Sequence, residues 1–283
     1  MKKVLLIAAG ICFSVFTFAQ DAAEKINQAQ EAMKAKDYAK AYTLYDEAMS
    51  NLGDVQVDVS VNFNIGFAAY KSENLEGAIK YFDKAIEAGT NVPKCHEYKA
   101  LAYNDKKDYP NAVACFEKAI ETATEGKDEL YFNAGIAAYR GKLNEKAIDL
   151  FGKAFDAGYK GETAIYYKAV ALKALDKNDE YKAALEQGIA KYAGDEKLSK
   201  ALAGVYVTEG NELYKKGAAI ISEANKKVNA GSLKTDDPAY AAELEKSKAE
   251  FTAAVAILEK AKALDASNAN AQKLLDACAA AMK

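Results

Sequence analysis

The side chains able to do covalent or metal chemistry are few, and their spacing is poor. The 283-residue chain has one histidine, His96, and one arginine, Arg140. Neither acid–base catalysis nor bidentate phosphate recognition has its usual material here. Cys95-His96 is the one adjacent pair of metal-ligating types, and no second pair stands at a zinc-site spacing. There is no Gly-rich phosphate loop after a strand, no Gly-x-Ser-x-Gly and no histidine–carboxylate pair. The adjacent carboxylates Asp236 and Asp237 precede Pro238 and read as a helix cap, not a glycosidase pair. No catalytic residue, metal ligand or cofactor is therefore expected. What the chain has in quantity is rings, 18 Tyr and 11 Phe without a single Trp.

Export is read from the N-terminus. Lys2 and Lys3 precede an apolar run from Val4 to Phe18, and Thr17-Phe18-Ala19 offers small residues at the recognition positions of a cleavage site after Ala19. The run is shorter than the roughly 20 apolar residues of a bilayer span, and Ile11 before Cys12 argues against lipidation. Cleavage would remove two lysines and take the formal charge from −3 to −5. A mildly acidic chain whose Lys and Glu alternate along helices makes nucleic acid an unexpected partner. Residues 1–19 are thus expected to be a signal peptide, with the protein periplasmic or associated with the outer membrane and free of membrane spans. Cys95, Cys115 and Cys278 would remain. Cys95 and Cys115 fall on antiparallel helices turning near Lys107, offset by about five residues or roughly 7 Å of rise. With the interhelical gap added, their Cα atoms exceed the roughly 7 Å that a disulfide tolerates. Three buried, unreactive thiols are expected.

The elements that must position the rings follow from a repeat. Asn64-Ile65-Gly66-Phe67-Ala68-Ala69-Tyr70 recurs as Asn133-Ala134-Gly135-Ile136-Ala137-Ala138-Tyr139. Each is followed at the same distance by Ala-Ile-x-x-Phe-x-Lys-Ala: Ala78 to Ala85, then Ala147 to Ala154. Gly66, Ala100, Gly135 and Ala169 form one small-residue column with steps of 34, 35 and 34. A constant period of this length marks stacked helix pairs. Ala78, Phe82 and Ala85 share a helical face, and Gly53, Gly89, Gly126, Gly158 and Gly194 fall where chains leave the second helices. One pair cannot cover its own apolar face, so each stacks on the next.

This column pattern resembles the tetratricopeptide repeat from Asp21 to about Ala266. The resemblance implies an all-α, right-handed superhelical solenoid of about six antiparallel helix pairs from an exported bacterial protein. Repeats one to five are placed at 20–202, a sixth, extended repeat at 203–266, and a capping helix at 267–283. In the fifth, Tyr181 and Leu185 replace the family's small and aromatic residues. In the sixth, Gly210 reads as the small column, and Ala254, Leu258 and Ala261 as the second-helix face. Gly210 and Ala254 are 44 residues apart where other copies have 12. The excess reads as a helical hairpin, broken at Ala230-Gly231-Ser232 and restarted at Asp237-Pro238.

In this family the first helix of each pair lines a concave groove. The resemblance therefore nominates Phe63, Phe67, Tyr70, Phe132, Ile136, Tyr139, Arg140, Tyr166, Val170, Asn211 and Tyr214 as contact residues. Of the columns that capture a C-terminal carboxylate in some members, Asn64 and Lys94 match, whereas Ile26, Gln30 and Tyr98 do not, which disfavours that ligand. The expected function is a non-enzymatic scaffold of the bacterial envelope that binds a protein or peptide segment in the groove, with the hairpin as a second contact surface. An envelope glycan stacked on groove tyrosines is the alternative, weakened by the absence of Trp.

Overall fold

The computed structural model describes residues 21–52 and 55–283. The expected signal segment at 1–19, the expected cleavage site after Ala19, and Gly53 lie outside the described residues. Helices account for nearly all of the rest, and no strand occurs among the described residues. The chain divides into two compact units, one ending at Lys160 and the other starting at Gly161.

The first unit contains α1 (21–34), α2 (Tyr38–Ser50), α3 (Val61–Lys71), α4 (Leu75–Glu87), α5 (Val92–Asp105), α6 (Tyr109–Thr122), α7 (Lys127–Arg140) and α8 (Asn144–Asp156). Helices pair as the period requires. A Cβ on Gly66 would stand 2.8 Å from Phe82 Cδ1, and one on Gly135 would stand 2.8 Å from Phe151 Cδ1. In these two pairs the aromatic of the second helix, α4 or α8, therefore lies against the bare backbone of the first, α3 or α7. The turn inside each pair is a left-handed residue followed by a cap. Lys36, Glu73, Lys107 and Lys142 have φ of 59°, 63°, 61° and 57°. After three of them, Asp37, Asn74 and Asp108 accept the backbone N–H of Lys40, Gly77 and Asn111. Neighbouring pairs are also stitched by polar contacts one period apart. Tyr81 Oη donates to Asp46 at 2.6 Å and Tyr70 Oη to Asp105 at 3.1 Å.

The second unit contains α9 (Gly161–Ala174), α10 (Asn178–Lys191), α11 (Glu196–Asn229), α12 (Pro238–Leu264) and α13 (Ala269–Ala281). The hairpin is α11 and α12. It breaks after Asn229 and restarts with Asp237, whose side chain accepts from Ala239 N. Its register corrects the sequence reading twice. The boundary drawn at 203 falls inside α11, and the small column continues 34 residues after Ala169 at the fully buried Ala203, not at Gly210. Gly210 is two turns further on and belongs to a different pattern. Ala203, Gly210, Gly217 and Ala224 recur every seven residues, and all four are buried. Leu258 lies over Gly210, Phe251 over Gly217, and Ser247 Oγ donates to Gly217 O at 2.8 Å. Two successive layers, seven residues apart on each arm, thus set bare backbone of α11 against a large side chain of α12. Gly210 imitated the repeat column because close approach to a large side chain selects glycine in either setting. Leu274, Leu275 and the buried Cys278 of α13 pack against the hairpin base, as expected of the last helix.

No helix among the described residues is long and apolar enough to cross a membrane.

Candidate functional site

In the first unit, α3 sets Phe63, Phe67 and Tyr70 on one face at steps of four and three. The first turn of α2 brings in Tyr38, and α5 brings in Tyr98. Tyr98 is the hub of this patch. Its ring centroid is 5.2 Å from Phe67, 5.7 Å from Tyr70, 6.2 Å from Phe63, and 5.8 Å from the buried Phe82, on which it stacks. Tyr38 meets Phe67 edge-on at 5.8 Å. All five outer rings are half-buried, so the patch is anchored on the core and open on its other side. Lys71 Nζ lies 5.5 Å from the Phe67 ring centre and 5.9 Å from that of Tyr70. Burial, reinforced by the Asp105 carboxylate, pushes the Tyr70 hydroxyl up to about 12, so it acts at neutral pH as a hydrogen-bond group and not as a base. Such a surface can hold apolar and aromatic side chains.

The remaining candidates divide. Ile136 and Tyr139 are half-buried on α7, and the exposed Arg140 reaches Asn104 of α5 at 3.5 Å. Phe132 is a correction, because it is only 6 % exposed and belongs to the core. It packs 5.9 Å from Phe151 and 5.7 Å from Tyr159, with Lys160 Nζ 4.8 Å from its ring centre. Phe63 occupies the same column, but the residue corresponding to Tyr159 is there Thr90, too small to cover it. In the second unit Tyr166 lies edge-on to Tyr167 at 5.8 Å, and Val170 is half-buried. Asn211 and Tyr214 are a further correction. They follow Gly210, one register beyond the repeat column, and the half-buried Tyr214 packs 5.5 Å from Phe251 of α12. With the column at Ala203, the corresponding positions are Lys200, Gly204 and Val207.

Sequence reasoning missed Tyr38 as a contact residue and read Tyr98 only as a departure from the carboxylate-binding columns. A signal for Tyr98 was present: Asn64, Tyr98, Asn133 and Tyr167 form one column in which amide and tyrosine alternate. Ile26, Gln30 and Asn64 line one cleft of about 310 Å³ with Ala23, Asn27 and the 55–61 segment. Its described lining carries amides and the Asp58 carboxylate but no cation, which leaves a terminal carboxylate without a counter-charge.

Among the described residues the three thiols, Cys95, Cys115 and Cys278, are free and buried. Burial pushes Cys95 up to about 11 and raises Cys115 and Cys278 as well, so none is a nucleophile at neutral pH. Among the described residues no three His, Cys, Asp or Glu side chains come together as a metal site.

No family model matches the chain. It is 31 % identical over 87 residues to stress-induced-phosphoprotein 1 of Caenorhabditis elegans, a stretch covering 31 % of this chain and 27 % of that one. It is 24 % identical over 212 residues to human DnaJ homolog subfamily C member 7, covering 74 % and 39 %. A TPR repeat-containing protein of Methanocaldococcus jannaschii is 26 % identical over 187 residues, covering 66 % and 30 %. The chain thus spans about a quarter to two fifths of the length of these curated relatives. Among solved structures, a tetratricopeptide repeat protein from Parabacteroides merdae is 17 % identical with a TM-score of 0.48, covering 92 % of this chain and 99 % of that one. A TPR repeats protein from Bacteroides fragilis is 21 % identical with a TM-score of 0.37, covering 92 % and 98 %. The chain is therefore similar in sequence to a protein named for the tetratricopeptide repeat.

Proposed function

We propose that this protein is a non-enzymatic protein–protein interaction scaffold of the bacterial cell envelope, exported by residues 1–19, and that it holds a partner segment on the first-helix face of its helix pairs. The observation carrying this reading is the patch of Tyr38, Phe63, Phe67, Tyr70 and Tyr98. Five half-exposed rings from three helices meet on one surface, although a core needing only to be filled could have used aliphatic side chains. Rings of this kind bury large contact areas at small entropic cost, and tyrosine is among the residues that dominate interface energetics. The half-open Ile136 and Tyr139 and the exposed Arg140 on α7 extend the same kind of surface.

The test is site-specific photocrosslinking in intact cells. A benzophenone side chain at Phe67 is expected to give a discrete adduct, and the same group at Lys84, exposed on α4, is expected to give none. Equal labelling from both positions, or none from Phe67, refutes the patch as a binding surface. The export part is checked separately by intact mass of the cell-envelope form, which is expected to begin at Gln20. A soluble form retaining residues 1–19 contradicts it.

A further inference from the structure

The chain's single histidine is buried within the helix that carries the hub of the aromatic patch. His96 lies on α5 and is only 9 % exposed, and its Nδ1 is buried without a hydrogen-bond partner. Two residues on, Tyr98 lies about 200° further round the helix, so the two side chains leave α5 on nearly opposite sides. Tyr98 gathers Phe63, Phe67 and Tyr70 of α3 and stacks on Phe82 of α4. The charges acting on His96 come from α4, α6 and its own helix. They are Lys118 on α6, Lys99 one turn along α5, and Asp83 on α4, with no titratable group of α3 among them. Asp83 is already the ion-pair partner of Lys99, and the buried Cys115 thiol of α6 sits beside that same pair.

We propose that His96 makes the aromatic patch acid-sensitive: taking up a proton there loosens α5 from α4 and α6 and disperses the rings gathered on Tyr98. Imidazolium at this site would be a third cation beside two ammonium groups, facing one carboxylate that is already engaged. Burial and the two lysines hold the imidazole below its usual range. The sign follows from linkage. The unfolded or locally opened chain binds the proton more tightly than the packed one, so the packed arrangement loses stability as pH falls below about 6.5. A buried Gln or Leu would fill the space without titrating. Histidine alone gives the joint a response between neutral and mildly acid conditions. The functional consequence, release of a bound segment in acid, rests on the proposed binding role of the patch, whereas the switch itself does not.

The test uses the full mature chain without a ligand. Its one imidazole gives a single titrating resonance in NMR, and with no Trp in the chain the near-UV circular dichroism reports on Tyr and Phe packing. The imidazole is expected to titrate below 6.5, with near-UV amplitude lost over the same pH interval while far-UV helicity persists. In His96→Gln the near-UV signal is expected to stay flat through that interval. An imidazole midpoint at or above 6.5, a near-UV signal unchanged by acid, an unchanged acid response in His96→Gln, or simultaneous loss of all helicity would each overturn the proposal. If His96→Gln does not fold, the wild-type titration decides alone. Photocrosslinking at Phe67 keeps the two readings apart. No adduct at any pH defeats the binding role, whereas an adduct unchanged between pH 7.5 and 5.5 defeats only the acid response.

Discussion

A hydrogen atom in place of a methyl group decides how the pairs close. Because a Cβ on Gly66 would come within 2.8 Å of Phe82, Gly66→Ala is expected to destabilise the protein by about 1–3 kcal/mol through overpacking. That exceeds the roughly 1 kcal/mol by which alanine favours a helix. Combining it with Phe82→Leu is expected to recover part of the loss, so a thermal-denaturation double-mutant cycle should give a clear coupling energy. An additive cycle would mean that ring and backbone are not in contact. The Tyr70 hydroxyl, raised to about 12 by burial and Asp105, gives a second outcome. Its folded-state pKa lies above the unfolded value of about 10, so its stabilising share is intact below pH 10 and is lost as pH climbs toward 12. Absorbance titration at 295 nm is expected to lose one late-titrating tyrosine in Tyr70→Phe.

At the level of the element, the turns inside the pairs share a geometry but not a chemistry. Asp37, Asn74 and Asp108 cap α2, α4 and α6, whereas Lys177 precedes α10 with φ −81° and ψ 66°, close to the −82° and 80° of Asn74, and makes no side-chain cap. Lys177→Asn is therefore expected to stabilise by about 1 kcal/mol, read as a raised melting temperature; no change would mean that the orphan N–H groups of α10 are satisfied by water. The hairpin arms can be shortened without touching their inner layers. Replacing residues 223–245 by a short turn removes Ala224 and Leu244 and keeps Gly217 against Phe251. Leu244 is already 38 % exposed, so the melting temperature is expected to fall by less than about 5 °C. A collapse of the transition would show that the outer arms hold the base together. These elements also mark how far the sequence could be read. The period and the turn of the hairpin, from Ala230-Gly231-Ser232 to the Asp237-Pro238 restart, were legible, because each rests on local residue types. The register of α11 was not, because Gly210 and Ala203 satisfy the same small-residue test and only the partner across the helix pair tells them apart. Phe132 escaped for a similar reason, since its cover comes from Tyr159 in a loop 27 residues away.

Across the whole molecule, most packing joins helices adjacent in sequence, so stability is expected to be nearly a sum of neighbouring terms. The fragment 161–283 has its own buried cluster, built on Ala203, Phe251, Leu258 and Cys278. Expressed alone, it is expected to be helical by far-UV circular dichroism and to melt cooperatively. A fragment that is unfolded in isolation would show that its core needs the preceding unit. The two units also differ in how they can change length. In the first, each pair is bounded by its own turns and caps, and a residue added within a helix rotates every contact that follows. In α11 and α12 the layers repeat every seven residues on both arms. Excising one heptad from each arm deletes fourteen residues and about 10.5 Å of reach, and because Gly210 with Leu258 and Gly217 with Phe251 are layers of the same kind, removing one of the two leaves the other intact. The hairpin is in this sense a telescoping ruler, extended or retracted in whole notches while its foot stays where it was.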